Sequence, residues 1–209
     1  MKRELIDVAF NNTVNKVVKR SYDRTIDVQF GTYREGDCAG WLTINLKPSH
    51  GIRDWLVNML AVPGSQGAHL GYWREVLHYW DDFRAVIEGT PELAEAKRHG
   101  VLISGRSKGA AEALLIGALL WRPNMQLLVG AIEPPMCVTP ALSGKLEEKL
   151  GRENIQWTCY RNDIVPGIPS WFTFPGEKRQ IGKRGAGISF RDHVLSTTKE
   201  ELIYDGCGW

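Results

Sequence analysis

Val101-Leu102-Ile103-Ser104-Gly105-Arg106-Ser107-Lys108-Gly109-Ala110-Ala111 changes character in its middle. The apolar run Val101-Leu102-Ile103 reads as a strand, and the alanine- and leucine-rich stretch from Ala110 to Leu120 reads as a helix. Gly105-Arg106-Ser107-Lys108-Gly109 is then a sharp turn from strand to helix with a serine at its apex. Such a turn strains the serine backbone, and small residues two before and two after it let strand and helix pack closely. It also brings the unpaired N–H groups of a helix N-terminus beside the hydroxyl, where they would stabilise an oxyanion. Two other readings compete. One is a tight turn without chemistry. The other is a phosphate loop, but G-x-x-x-x-G-K-[ST] is absent and Lys108 follows the serine directly.

The chain on either side alternates between the two periodicities. Leu5, Val8, Ala9, Val14, Val17 and Val18 suggest a helix over 4–20. Residues 26–30 alternate as a strand, 34–37 form a turn, and 41–46 form the next strand of a hairpin. Ile52, Trp55, Leu56 and Met59 lie at helical spacing within 51–60, an amphipathic lid, rim or ordinary core helix. After the break at 64–67, a helix is expected over 69–88 and another after Thr90-Pro91. Strands follow at 100–104, 127–131 and 155–160. Helices are expected from Thr139-Pro140 to about 150 and over 190–203. Strands alternating with helices beyond residue 100 imply a parallel sheet, with the early hairpin antiparallel at one side.

At 209 residues the chain reads as one domain, 1–209, with a substantial core. A net charge of +2 makes no case for nucleic acid. Cys38, Cys137, Cys159 and Cys207 have no C-x-x-C or metal-ligand spacing, so reduced thiols and no metal centre are expected. Met1-Lys2-Arg3-Glu4-Leu5-Ile6-Asp7 is charged and lacks an apolar h-region, and no run approaches eighteen apolar residues. A cytoplasmic protein is the expectation. The sequence does not speak to oligomeric state.

A serine nucleophile needs a base, and the base needs an orienting acid. His193 is the one histidine after Ser107. Asp163 follows the strand 155–160 in Asn162-Asp163-Ile164-Val165-Pro166-Gly167-Ile168-Pro169. A loop at a strand's C-terminal end is where open α/β sheets hold their chemistry. Asp192 is the rival acid, but a carboxylate adjacent in sequence is poorly placed to hold the imidazole from behind. His69 reads as a structural residue at a helix start, and His50, His78 and His99 as surface or helix residues.

These segments resemble, in order, the class 3 or fungal-type triacylglycerol lipases, a family of α/β-hydrolases. Asn162-Asp163-Ile164-Val165-Pro166-Gly167-Ile168-Pro169 is similar to that family's N-D-I-V-P-x-L-P, and Gly105 to Ala111 to its G-H-S-L-G-G-A. Leu46-Lys47-Pro48-Ser49, five residues, then Trp55 resembles F-R-G-[ST], five residues, then Trp. Ala68-His69-Leu70-Gly71-Tyr72 resembles V-H-x-G-F, and Asp192-His193 resembles D-H-x-x-Y. The resemblance implies an α/β-hydrolase fold and hydrolysis of a carboxylic ester, with lipid or other ester as substrate. It implies Ser107 as nucleophile, His193 as base and Asp163 as acid, with Ser49 and Lys108 forming the oxyanion hole and no cofactor. The chain departs from the family in carrying Leu46-Lys47-Pro48 for Phe-Arg-Gly, Arg106 and Lys108 on either side of the serine, and Ser196 where a tyrosine is expected. Arg106, Lys108, Lys47 and the run Lys178 to Arg184 suggest a cationic mouth for an anionic ester or membrane surface. An acyltransferase or thioesterase with the same triad, or a binding domain that keeps the fold without the chemistry, are the alternatives.

Overall fold

A computed structural model describes residues 2–10, 14–22, 26–48, 62–182, 187–189 and 192–193. In chain order the elements are α1 (Arg3–Phe10), β1 (Val14–Tyr22), β2 (Ile26–Tyr33), β3 (Leu42–Pro48), α2 (Leu70–Gly89), α3 (Pro91–His99), β4 (Val101–Arg106), α4 (Lys108–Leu120), β5 (Leu127–Ile132), α5 (Pro140–Leu150), β6 (Ile155–Tyr160) and β7 (Glu177–Ile181). The strands form one sheet in the order β1 to β7. β1, β2 and β3 pair antiparallel, and β3 to β7 pair parallel. The expected hairpin and parallel sheet are both present.

Side chains of a strand point alternately to its two faces, and the core divides accordingly. Val101 and Ile103 of β4, with Val129 and Ala131 of β5, face α2, α3 and α4. Leu102, Leu128 and Ile132 face the other way, onto Leu5, Ile6 and Val8 of α1. Helices therefore cover both faces. Each fully buried aliphatic side chain contributes about 1.5–3 kcal/mol. On the α1 face, Tyr33 Oη donates to Asp7 Oδ2 at 2.9 Å and Asn45 Nδ2 to the Ala9 carbonyl at 3.0 Å, which fixes the short helix on the sheet. α4 is buried almost all round, because it lies against β3, β4 and β5 while α2 covers its outer side.

Two elements differ from expectation. The helix anticipated over 4–20 is a helix over Arg3–Phe10 followed by β1. Its second half is rich in β-branched residues that fit a pleated surface, and it finds a partner in β2, with Val18 opposite Phe30 and Tyr22 opposite Ile26. β7 was not anticipated. Lys178 and Arg179 read only as part of a basic run, but the segment pairs with β6 as a strand, and Lys178 Nζ lies 5.0 Å from the Trp157 ring centroid. The expected segments 51–60 and 190–203, apart from Asp192 and His193, lie outside the described residues.

Candidate active site

The turn between β4 and α4 has the form its glycines require. A Cβ on Gly105 would collide with the Gly109 carbonyl, and a Cβ on Gly109 would sit 2.5 Å from the Leu46 carbonyl oxygen. Strand, helix and the end of β3 therefore approach as only glycine permits. Ser107 sits at φ 52, ψ −126, a strained conformation for a non-glycine residue. Its N–H donates to the Ile132 carbonyl at 2.8 Å, which ties the apex to β5.

His193 is carried to the serine from the far end of the chain. Ser189 N–H donates to the Asn162 carbonyl at 2.8 Å, stitching the approach to His193 onto the loop after β6. Asp192 N–H donates to Ser189 Oγ at 3.0 Å, and Asp192 Oδ2 accepts from the Asn162 N–H at 3.1 Å. The rival acid thus holds the loop, while Asp163 faces the ring. Asp163 Oδ2 lies 2.7 Å from His193 Nδ1, and its Oδ1 accepts from the Val165 N–H at 2.9 Å. His193 Nε2 lies 2.9 Å from Ser107 Oγ. All three side chains are buried. A carboxylate on Nδ1 favours the tautomer with its proton there, leaving the Nε2 lone pair toward the serine hydroxyl.

A fourth residue belongs to this cluster. Glu133, directly after β5, is fully buried, and its Oε2 lies 3.7 Å from His193 Nδ1. Arg106 Nη2 is 3.5 Å from that oxygen and donates to the His193 carbonyl at 2.8 Å. No motif marks Glu133. The signal available was its setting, an acid at the C-terminal end of an apolar strand before Pro134-Pro135, the same setting that drew attention to Asp163. Glu133, Asp163 and His193 also bring three potential ligand atoms within 4.8 Å of one another. A cation could join them only by displacing the Nδ1 proton that Asp163 accepts.

The two cations beside the serine lie against carboxylates. Arg106 is held as above. Lys108 is 7% exposed, with Nζ 2.7 Å from Glu75 Oε2 and 3.6 Å from Glu112 Oε1. Tyr79 Oη donates to Glu112 Oε2 at 2.7 Å, and the Tyr79 ring stacks on Tyr22 at 4.6 Å. Glu75 and Tyr79 lie on α2, so this buried group ties the first turn of α4 to the neighbouring helix. The backbone N–H of Lys108, in that first turn, has no intrahelical acceptor. Ser49, the other expected oxyanion donor, lies outside the described residues. His69 is structural, as expected: its ring is fully buried and stacks on Tyr72 at 4.2 Å, where α2 begins. A cavity of about 530 Å³ lined by Glu4, Asp37, Cys38 and Trp41 lies at the opposite ends of the strands, far from Ser107.

Burial pushes the Glu112 carboxyl up from 4.5 to about 8; Lys108 opposes the rise and Glu75 adds to it. Between these values the native protein holds a proton that the unfolded chain has released. Stability therefore falls as pH rises through this window and levels off above it. Glu112→Gln keeps the shape and cannot ionise. It is expected to shrink the loss of unfolding free energy between pH 5 and pH 8 by on the order of 1–3 kcal/mol, read by urea denaturation at the two pH values. An unchanged slope would contradict this account of the network.

No sequence-family model matches the chain, and no curated protein matches it. Solved structures do. Rhizomucor miehei lipase in complex with its propeptide superposes with a TM-score of 0.69 at 20% identity, over 83% of this chain and 57% of that one. A triacylglycerol lipase described as having a serine protease triad at its catalytic centre gives 0.68 at 20% identity, over 83% and 68%. Lipase II from Rhizopus niveus gives 0.66 at 18% identity, over 81% and 67%. The fold is that of an α/β-hydrolase. Within that class it has the class 3 lipase form shared by these fungal enzymes. The chain spans less than two thirds of the Rhizomucor miehei chain. No described helix is long and apolar enough to cross a membrane.

Proposed function

We propose that this chain is a serine hydrolase of carboxylic esters acting through Ser107, His193 and Asp163. The observation that carries the reading is the continuous path Asp163 Oδ2, His193 Nδ1, His193 Nε2, Ser107 Oγ, with steps of 2.7 Å and 2.9 Å, on a strained strand-to-helix turn. A carboxylate, an imidazole and a serine hydroxyl bonded in this order are the groups that activate a serine for attack.

His193 Nε2 takes the proton as Ser107 Oγ attacks the acyl carbon. Asp163 holds the ring and stabilises the imidazolium. The carbonyl oxygen gathers charge beside the first turn of α4, where the Lys108 N–H and the helix dipole stabilise it, with Ser49 as the second donor. The imidazolium then protonates the leaving alcohol, and water drawn by the same nitrogen releases the acid. The fixed side chain of Lys108 serves this step by holding the first turn of α4 still. The substrate is a lipid or soluble ester; with Arg106 and Lys108 both paired to carboxylates, an acyl ester without charge at the scissile group suits the site.

The test is a panel of p-nitrophenyl esters of two to twelve carbons, matched thioesters, and phosphatidylcholine, with products identified by mass. Free acid and alcohol from the oxygen esters are expected. Thioester cleavage alone, or acyl transfer to an added alcohol in preference to water, would assign the same acyl-enzyme to a different reaction. No turnover of any member would return the chain to the class of binding domains.

A further inference from the structure

We propose that Glu133 is a second carboxylate partner of the His193 imidazole, a positioning residue that offsets Arg106 so that the ring can carry a proton. The proposal rests on the hydrolase reading of this site. Among the described residues, two carboxylates face the imidazole, Asp163 beyond β6 and Glu133 beyond β5, while Arg106 at the end of β4 lies against Glu133 and the His193 carbonyl. Arg106 donates to the His193 carbonyl and is 40% exposed, while Glu133 is fully buried. As the ring takes the proton from Ser107 it becomes a buried cation, and Glu133 places a second negative charge beside it. Like carboxylates repel in a buried site, and Arg106 against Glu133 and the His193 ring against Asp163 offset that repulsion.

The backbone supports this assignment. Glu133 has φ 52, a left-handed conformation that costs about 1–3 kcal/mol in a residue that is not glycine and persists where the surroundings enforce it. Its N–H donates to the Thr158 carbonyl at 3.1 Å, which holds it between β5 and β6 with the carboxylate toward the ring. Because β5 lies between β4 and β6 in the sheet, its loop emerges between those that carry Ser107 and Asp163.

The test is the protonation midpoint of His193, read by NMR of the labelled imidazole in the whole protein and assigned with His193→Ala. Glu133→Gln should lower the midpoint by about one pH unit or more. Arg106→Gln should raise it, and the double variant should return it close to wild type. On p-nitrophenyl butyrate, Glu133→Gln should lower kcat by about tenfold with KM unchanged. If Glu133→Gln does not fold, Glu133→Asp, with its carboxylate drawn back by one carbon, should move the midpoint the same way by less. An unmoved midpoint in either variant, whatever happens to its melting temperature, would overturn the proposal and leave Glu133 a structural residue. The midpoint is read without turnover, so a wild-type protein inactive on the ester would defeat the hydrolase reading and leave the electrostatic result standing.

Discussion

Ser107→Ala is expected to lower kcat/KM for ester hydrolysis by about 10⁴-fold or more, with the melting temperature within a few degrees of wild type. The hydroxyl is the atom that reaches His193 Nε2 at 2.9 Å. The rest of the residue serves the turn, and alanine serves it equally. Its N–H still donates to the Ile132 carbonyl, and its Cβ meets the same strain at φ 52. Only the lost hydrogen bond of a nearly buried hydroxyl touches stability, about 1 kcal/mol. Activity within tenfold of wild type would remove Ser107 from the reaction. Activity lost together with the fold would mean that the hydroxyl holds the turn rather than attacking.

The second large effect is at His193. His193→Ala should cost as much as Ser107→Ala, and the double variant should be no worse than either single one, because nucleophile and base act as a unit. The alanine keeps the backbone carbonyl that accepts from Arg106, so the approach from Ser189 stays docked. The rate measured at pH 9, where a general base becomes less necessary, should remain low, since the serine hydroxyl has no other acceptor at hand among the described residues. Losses that multiply in the double variant would show two independent roles and contradict the shared proton path.

The turn at Ser107 was legible because two local signals coincide there: a change of periodicity and two glycines whose Cβ atoms would strike backbone. The parallel pairing beyond residue 100 followed from the alternation of strands and helices. β1 was misread because Val14, Val17 and Val18 continue the apolar spacing of α1, and only pairing with β2 selects the strand. Position alone favours Asp163 over Asp192, because an acid adjacent to the histidine is poorly placed to hold its ring. The hydrogen bond from the Asn162 N–H then turns Asp192 away from the ring. Lys108 beside the serine suggested a cationic mouth, and its partner Glu75 lies 33 positions earlier on another helix. Glu133 had the setting of Asp163, an acid after an apolar strand, but its meaning depends on Arg106 and His193, which the fold brings to it. Local strain and close approach leave marks in sequence, whereas charge compensation between distant loops does not.

The claim on which the rest depends is that Ser107 is a nucleophile activated by His193. Its most direct test is covalent. A fluorophosphonate probe reacts with an activated serine, and the labelled peptide is then sequenced by mass spectrometry. The account predicts one probe per chain, attached at Ser107, lost in Ser107→Ala and slowed by about a hundredfold or more in His193→Ala. Label at another residue, or equal labelling in Ser107→Ala, would contradict it.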